Sequence, residues 1–246
     1  RLFVLTGAGV STDCGIPDYR DARGDWKRPP PVSHQAFMGS HGVRQRYWAR
    51  SLVGFRALAS AHPGEAHAAL TALERQSRIT SLVTQNVDGL HQRAGTRRVI
   101  DLHGQADVVK CMNCGTTLMR HALHDELAQR NPRWLSLSAE VGPDGDADLD
   151  GYDFSTFEVP NCHRCRIGIL KPDVVFFGDN VPRPRVEQAF QALEEASGML
   201  VVGSSLMVYS GFRFARQAAK RGKPIACVNL GKTRADELFD LKVTAT

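Results

Sequence analysis

The chain has 246 residues, 42% of them hydrophobic and 23% charged, and a net charge of +5 at neutral pH. That length supports one large domain, or one domain with a smaller insert, and enough buried surface to fold without disulfide staples. The absence of any apolar run of about 18 residues excludes a membrane-spanning helix. The basic residues, many of them arginines such as Arg44, Arg46, Arg50, Arg97 and Arg98, are scattered like a solvated surface rather than a nucleic-acid face.

In chain order, the run Leu2–Leu5 stops at Thr6-Gly7-Ala8-Gly9. A short apolar run before a glycine turn predicts a parallel strand buried on both faces. Residues 21–64 begin polar and proline-rich around Pro29, Pro30 and Pro31, then turn helical through Arg44–Leu58. Apolar residues at three- and four-residue spacing predict helices over Ala66–Arg75 and Val186–Ala196. A basic amphipathic helix over Phe212–Lys220 is closed by Gly222 and Pro224. Further strands are predicted at Ile79–Thr84, Val99–Leu102, Val174–Phe177, Met199–Val202 and Ile225–Val228. Alternating strands and helices predict an α/β fold, a Rossmann-like doubly wound parallel sheet. Its large domain would take residues 1–30, 65–107 and 170–246. A helical insert at 31–64 and a four-cysteine module at 108–169, with an acidic loop over Gly142–Asp153, would form a smaller domain.

Four of the six cysteines form two Cys-x-x-Cys knuckles, Cys111/Cys114 and Cys162/Cys165. Four thiolates are the tetrahedral set zinc prefers and leave no open position, so one structural zinc ion is expected. The knuckles stand 47 residues apart, beyond the usual spacing of about 15–20, which fits a loop extruded from the metal module. Redox dithiols or free thiols are the alternatives. Cys14 and Cys227 stand alone beside apolar segments and read as small buried hydrophobes.

Other motifs sit at strand ends, where α/β sheets bind ligands. Gly7-Ala8-Gly9-Val10-Ser11-Thr12 places glycines where a backbone could approach a pyrophosphate, although Thr12 replaces the third glycine of the usual dinucleotide pattern. In Gly15-Ile16-Pro17-Asp18-Tyr19-Arg20, Arg20 suits a phosphate. Thr84-Gln85-Asn86-Val87-Asp88-Gly89-Leu90-His91 offers Gln85, Asn86 and Asp88 to ribose hydroxyls or an amide, or Asp88 as a helix cap. Leu102-His103-Gly104 leaves an imidazole accessible at a strand end, with an ordinary pKa suited to a general base. Gly203-Ser204-Ser205-Leu206 and Val228-Asn229-Leu230-Gly231 carry small or polar groups that could close over an adenosine.

The order of these motifs, with Lys171-Pro-Asp-Val-Val-Phe-Phe-Gly-Asp179, resembles the sirtuin family from Leu2 to about residue 240. Gln45–Arg50, Pro143-Asp144-Gly145-Asp146 and Val174–Asp179 are similar to the class II branch, typified by the mitochondrial sirtuin 4. Tyr19 and Asp179 stand where many members carry Phe and Glu.

The resemblance implies an NAD-dependent protein lysine deacylase. The acyl oxygen attacks the ribose as nicotinamide leaves, His103 acts as base on a ribose hydroxyl, and the products are lysine and O-acyl-ADP-ribose. It also implies cofactor contacts from Gly7, Ala8, Gly9, Thr12, Asp18, Tyr19, Arg20, Gln85, Asn86, Asp88, Gly203, Ser204, Ser205, Asn229, Leu230 and Gly231, with Asn86 and Asp88 assisting His103. An acyl-lysine peptide would add as a strand between Val175, Phe176, Phe177 and Gly178 on one side and Leu206, Met207 and the residues up to Tyr209 on the other. Tyr47-x-x-Arg50 is similar to the pair with which acid-acyl-removing members bind a carboxylate. Mono-ADP-ribosyl transfer, a zinc-containing dehydrogenase and a non-catalytic binding module are the alternatives. A monomer without membrane or specific nucleic-acid partners is expected. Its compartment is expected to be the cytoplasm, or the mitochondrial matrix if a segment ahead of Arg1 was removed. A last cofactor-covering segment beyond Thr246 is compatible with the strand-like end.

Overall fold

The computed structural model describes residues 1–137, 139–140, 142 and 145–245. Pro143 and Asp144 of the class II-like motif lie outside the described residues. The chain divides into two compact units, residues 1–30, 61–103 and 181–246, and residues 31–60 and 104–180.

The first unit holds β1 (Leu2–Thr6), α3 (Glu65–Arg75), β2 (Ile79–Thr84), α4 (Leu90–Arg93), β3 (Val99–Asp101), α6 (Arg183–Glu195), β7 (Gly198–Val202), α7 (Tyr209–Lys220), β8 (Ile225–Val228) and β9 (Leu241–Val243). Its six strands form a parallel sheet in the order β3-β2-β1-β7-β8-β9. The order reverses between β1 and β7, and open α/β sheets bind ligands outside the carboxyl ends of the strands at such a reversal. Side chains alternate faces along each strand. Phe3 and Leu5 of β1 and Met199 and Val201 of β7 pack with α6 and α7 through Leu193, Phe214 and Ala218. Val4 and Leu82 pack with Leu70 of α3 in a separate cluster, joined by Leu200 and Val202. Helices therefore cover both faces, as the alternation of elements predicts.

The second unit holds α1 (His34–Gly39), α2 (His41–Ser60), β4 (Gly104–Cys111), β5 (Thr117–Met119), α5 (Arg120–Arg130) and β6 (Leu170–Val174). Its sheet is antiparallel in the order β5-β4-β6. The strand expected over Val174–Phe177 in the parallel sheet is not formed. The strand is Leu170–Val174, and it pairs with β4. Pro172 is tolerated because β6 is an edge strand, where a missing N–H breaks no inner ladder. Beyond it, Phe176 turns into the core of this unit, edge-on to Phe37 at 5.3 Å. The β4–β6 pairing also brings residues 104–107 and 170–180 into the smaller unit, outside the expected boundaries at 107 and 170.

In the first unit a buried histidine pair clips α3 and α4 to the sheet. The His67 and His91 rings lie 4.7 Å apart, and His91 Nε2 hydrogen-bonds Thr6 Oγ1 at 2.9 Å. Burial holds the pKa of both imidazoles down, His91 to about 3. An unfolded histidine titrates near 6.5, so between those values the unfolded chain binds more protons. Stability contributed by His91 is present above pH 6.5 and falls by about 1.4 kcal/mol per pH unit below it. Urea unfolding at pH 7, 5.5 and 4.5 is expected to show a progressive loss, and His91→Asn is expected to flatten that dependence.

Candidate functional site

At the reversal point the ends of β1 and β7 touch through backbone alone. Gly9 N donates to Gly203 O at 2.8 Å, and a Cβ on Gly9 would lie 2.9 Å from that oxygen. A Cβ on Gly7 would meet Ser204 Cβ at 2.8 Å, and Gly203 has φ +57. These glycines are therefore required by strand-end packing as well as by any approach of a phosphate. Residues Ala8–Cys14, including Thr12, form a 3₁₀ helix rather than the α-helix usual after such a turn, and Thr12 Oγ1 donates to Gly9 O at 3.0 Å.

His103 stands just past β3. Its Nδ1 lies 2.9 Å from Gln85 O, an atom that only accepts, so Nδ1 carries the proton. Nε2 is then the lone-pair nitrogen, 2.7 Å from the hydroxyl of Ser210, which donates to it. Burial lowers the pKa to about 4. The Gln85 hydrogen bond opposes that shift, and the Arg213 and Arg185 charges add to it. The imidazole is a neutral base at physiological pH.

Gln85 ties this base to the reversal point, since its Nε2 donates to Ser204 Oγ at 2.7 Å and to Thr6 O at 3.3 Å. A second relay runs from Asn86 Nδ2 to Ser11 Oγ at 3.0 Å and from Ser11 Oγ to Asp88 Oδ2 at 2.8 Å. Asp88 Oδ1 accepts from Leu90 N at 2.8 Å, the first N–H of α4, from the position ahead of the N-cap, which is Gly89. Asp88 is buried with both oxygens engaged, so it positions Ser11 and Asn86 rather than facing a ligand. Ser204 is likewise buried and internally bonded, taking Leu206 N as well. Sequence reasoning missed Ser11 and Ser210 as members of the site. Both lie inside quoted motifs or just beyond one, but nothing local marks their partners, 77 and 107 residues away.

The loop with Asp18, Tyr19 and Arg20 is folded on itself. Arg20 and Trp26 form an antiparallel bridge, and the Arg20 guanidinium lies 4.0 Å from the Trp26 ring centroid and donates to Gly24 O at 2.7 Å. Asp18 pairs with Lys27, and Lys27 N donates to Tyr19 O at 3.0 Å. On the far side, Asn229 Nδ2 donates to Gly231 O at 3.0 Å, Leu230 is exposed, and Lys232 N donates to Ala22 O at 2.8 Å. Ser205 O accepts from Arg234 N at 2.8 Å.

The expected peptide-binding segments are irregular. Phe177 O accepts from His34 N at 2.9 Å and Gly178 O from Gln35 Nε2 at 2.8 Å, and Val175 follows the end of β6. In the first unit Leu206 is buried in a left-handed conformation, φ +53. Met207 O accepts from Arg234 Nη1 at 3.2 Å, and Tyr209 already opens α7. An extended edge there is limited to residues before Tyr209.

In the second unit Tyr47 packs edge-on to Phe37 and Trp48, at 5.2 Å from each. Arg50 Nε donates to Ala147 O at 2.8 Å while Ala147 N donates to Arg50 O at 3.0 Å, which pins the Gly-rich loop to α2. Gly54 admits this loop, because a Cβ there would lie 2.1 Å from Gly145 O. A second cation missed by sequence reasoning is Arg120. It is 2% exposed, bonded to Ser51 Oγ at 3.0 Å and placed 4.3 Å from the Phe55 ring centroid, and its Nη1 has no acceptor.

The four sulfurs of Cys111, Cys114, Cys162 and Cys165 lie within 4.8 Å of one another, with Cys111–Cys165 at 3.6 Å and Cys114–Cys162 at 3.8 Å. A metal–sulfur distance of about 2.3 Å gives tetrahedral edges of about 3.8 Å, so the thiolates fit one zinc ion. Gly168 is obligatory beside them, since its Cβ would lie 2.2 Å from Cys111 Sγ. Of the two lone cysteines Cys227 is fully buried and Cys14 only partly, its thiol 3.9 Å from His67 Nδ1.

A Sir2 family model matches residues 7–210. The chain belongs to the sirtuin (Sir2) family. A "NAD-dependent protein deacetylase 2" of Bradyrhizobium diazoefficiens is 60% identical over 99% of this sirtuin and 89% of its own length. The "NAD-dependent protein deacylase SRT2" of Arabidopsis thaliana is 44% identical over 100% of this chain and 70% of its own. A solved structure described as "Sir2-p53 peptide-NAD+" is 31% identical with a TM-score of 0.78, covering 100% of this chain and 88% of that one.

Two outcomes are expected. Elemental analysis should find one zinc per chain, and chelation or Cys165→Ala should lower the melting temperature by about 10 °C. Heteronuclear NMR of the imidazole should find His103 as the Nδ1–H tautomer, neutral at pH 6, and the acid limb of kcat/KM set by it should lie below pH 6.

Proposed function

We propose that this sirtuin is an NAD-dependent protein lysine deacylase that moves the acyl group from lysine to ADP-ribose and releases nicotinamide and the free lysine. The observation that carries this is His103, a neutral base of fixed tautomer at the carboxyl end of a parallel sheet and tied to its reversal point. The donor set suits NAD. Glycines close the reversal to backbone alone, and the polar side chains gathered beside it are Ser204, Gln85, Asn86 and Ser11.

When bound, NAD supplies the ribose acceptor and nicotinamide as leaving group. In this reading Gly7, Ala8 and Gly9 hold its pyrophosphate. Asn86, fixed by Ser11 and Asp88, orients the nicotinamide ribose. His103 Nε2 takes a proton from a ribose hydroxyl, which displaces the Ser210 hydroxyl from that lone pair. Gln85 O, accepting from Nδ1–H, stabilises the imidazolium that results. Asn229 and Ser205 serve the adenosine half. The zinc stays outside the chemistry, because four thiolates leave it no open position.

The class II resemblance extends the proposal to acidic acyl chains. Arg50 uses its Nε on Ala147, which leaves the terminal guanidinium nitrogens as the donors for a carboxylate. Mass spectrometry with NAD and lysine peptides bearing acetyl, succinyl, glutaryl, methylglutaryl and lipoyl groups tests both levels. The native chain is expected to form O-acyl-ADP-ribose and His103→Ala to lose at least about 100-fold. Arg50→Ala is expected to lose more on glutaryl- and succinyl-lysine than on acetyl-lysine. Label transferred to protein without deacylation would instead indicate ADP-ribosyl transfer, and NADH formation a dehydrogenase.

A further inference from the structure

Three guanidinium groups converge on one exposed tyrosine at the start of α7. The Arg213, Arg216 and Arg234 carbons lie 5.7, 5.4 and 5.9 Å from the Tyr209 ring centroid. Arg216 also donates to Tyr209 Oη at 2.7 Å, and Arg234 lies 4.6 Å from the Phe212 ring centroid. None of the three has an ion-pair partner among the described residues, and Arg213 Nε is buried without an acceptor. Acids are not scarce, since the chain carries 26 of them. Elsewhere they are used, Glu194 by Arg221 and Glu126 by Arg130. Asp236, two residues from Arg234, is committed to Thr233 and Lys242. Three cations gathered around one aromatic ring repel each other, and the ring, its hydroxyl, the Phe212 ring and the Met207 carbonyl offset only part of that repulsion. Such a cluster is completed by an anion from outside.

The cluster adjoins the segment proposed to meet the peptide. Arg234 is bonded to Ser205 O through its N–H and to Met207 O through Nη1, and Tyr209 follows Met207 by two residues. We propose that Arg213, Arg216 and Arg234 form a specificity site for acidic side chains flanking the acylated lysine, so that this deacylase prefers acyl-lysine in an acidic sequence context. The inference rests on the deacylase reading and on residues before Tyr209 meeting the peptide. A nucleic acid is the less fitting occupant. The charges converge on one ring instead of forming a stripe at phosphate spacing, and the remaining basic residues are dispersed. Anionic charge at Arg213 would also relieve one of the fields that lower the His103 pKa.

The test compares acetyl-lysine peptides carrying Glu pairs on the amino side, on the carboxyl side, or Gln pairs in the same places. The native chain is expected to show a kcat/KM about tenfold higher for one Glu peptide than for its Gln counterpart, the size of a few half-exposed charge contacts. That preference should vanish in 0.5 M salt, roughly, where surface charges are screened. Arg216→Glu, at an exposed position, is expected to reverse the ratio. Arg221→Glu, at the other end of α7, is expected to keep it. Equal kcat/KM for Glu and Gln peptides in the native chain overturns the proposal. So does a single-stranded oligonucleotide that binds with Arg216-dependent affinity while no Glu preference exists. If no peptide is deacylated, the deacylase reading has failed. The same peptides, fluorescently labelled, then decide the charge preference by binding anisotropy alone.

Discussion

The backbone of Gly9 meets the backbone of Gly203 where the strand order reverses, with no room for a side chain at either strand end. From that contact the rest of the site follows in covalent and hydrogen-bonded steps. It brings Ser204 beside Gly7, where its hydroxyl can receive the Gln85 amide. Gln85 in turn crosses from β2 to β7 and leaves its carbonyl facing His103. Gly211 allows that placement, since a Cβ there would lie 2.5 Å from Gln85 Oε1. The orientation of one imidazole thus depends on four glycines distant from it in sequence, Gly7, Gly9, Gly203 and Gly211. A substitution at Gly9 would misplace the base without touching it.

The polar residues of the site divide by what their atoms are already doing. Asp88 and Ser204 spend their hydrogen-bonding capacity inside the protein and act as fixed supports. A buried carboxylate with both oxygens engaged is a rigid reference point, and leaving it half-paired would cost about 1–3 kcal/mol. Asn86 and His103 are the groups those supports aim. The same division holds in the smaller unit. There Arg50 first fixes a loop, and Arg120 is an interior cation stacked on aromatic rings.

Much of this was legible in the sequence because the signals were local. Five apolar runs gave five strands of the parallel sheet, and the knuckle spacing named the thiolates that the fold gathers. The failures share one cause. Val-Val-Phe-Phe at 174–177 has the composition of a buried strand, yet its apolar character serves a core of another unit, and the true strand upstream is masked by Lys171 and Pro172. Composition says that a segment is buried and not against what. Likewise Ser11, Ser210 and Arg120 look ordinary in sequence, and only partners far along the chain give them a role. Tyr209, read as the end of a strand-like edge, is instead the exposed first residue of α7, whose buried face runs through Ser210, Gly211, Phe214 and Ala218.

A base with its pKa lowered to about 4 is a weak base, and the physical causes say when it becomes a stronger one. Desolvation is fixed by the fold. The Gln85 carbonyl is fixed too, and favours the protonated ring at all times. The remaining contribution, the charges of Arg213 and Arg185, depends on what lies beside them. Any anion bound near those guanidiniums cancels part of their field and raises the affinity of Nε2 for a proton. The free protein therefore keeps an imidazole that stays neutral into mildly acidic pH. An anion beside those guanidiniums offsets only the smaller, charge-borne share of the shift, since desolvation is its largest cause.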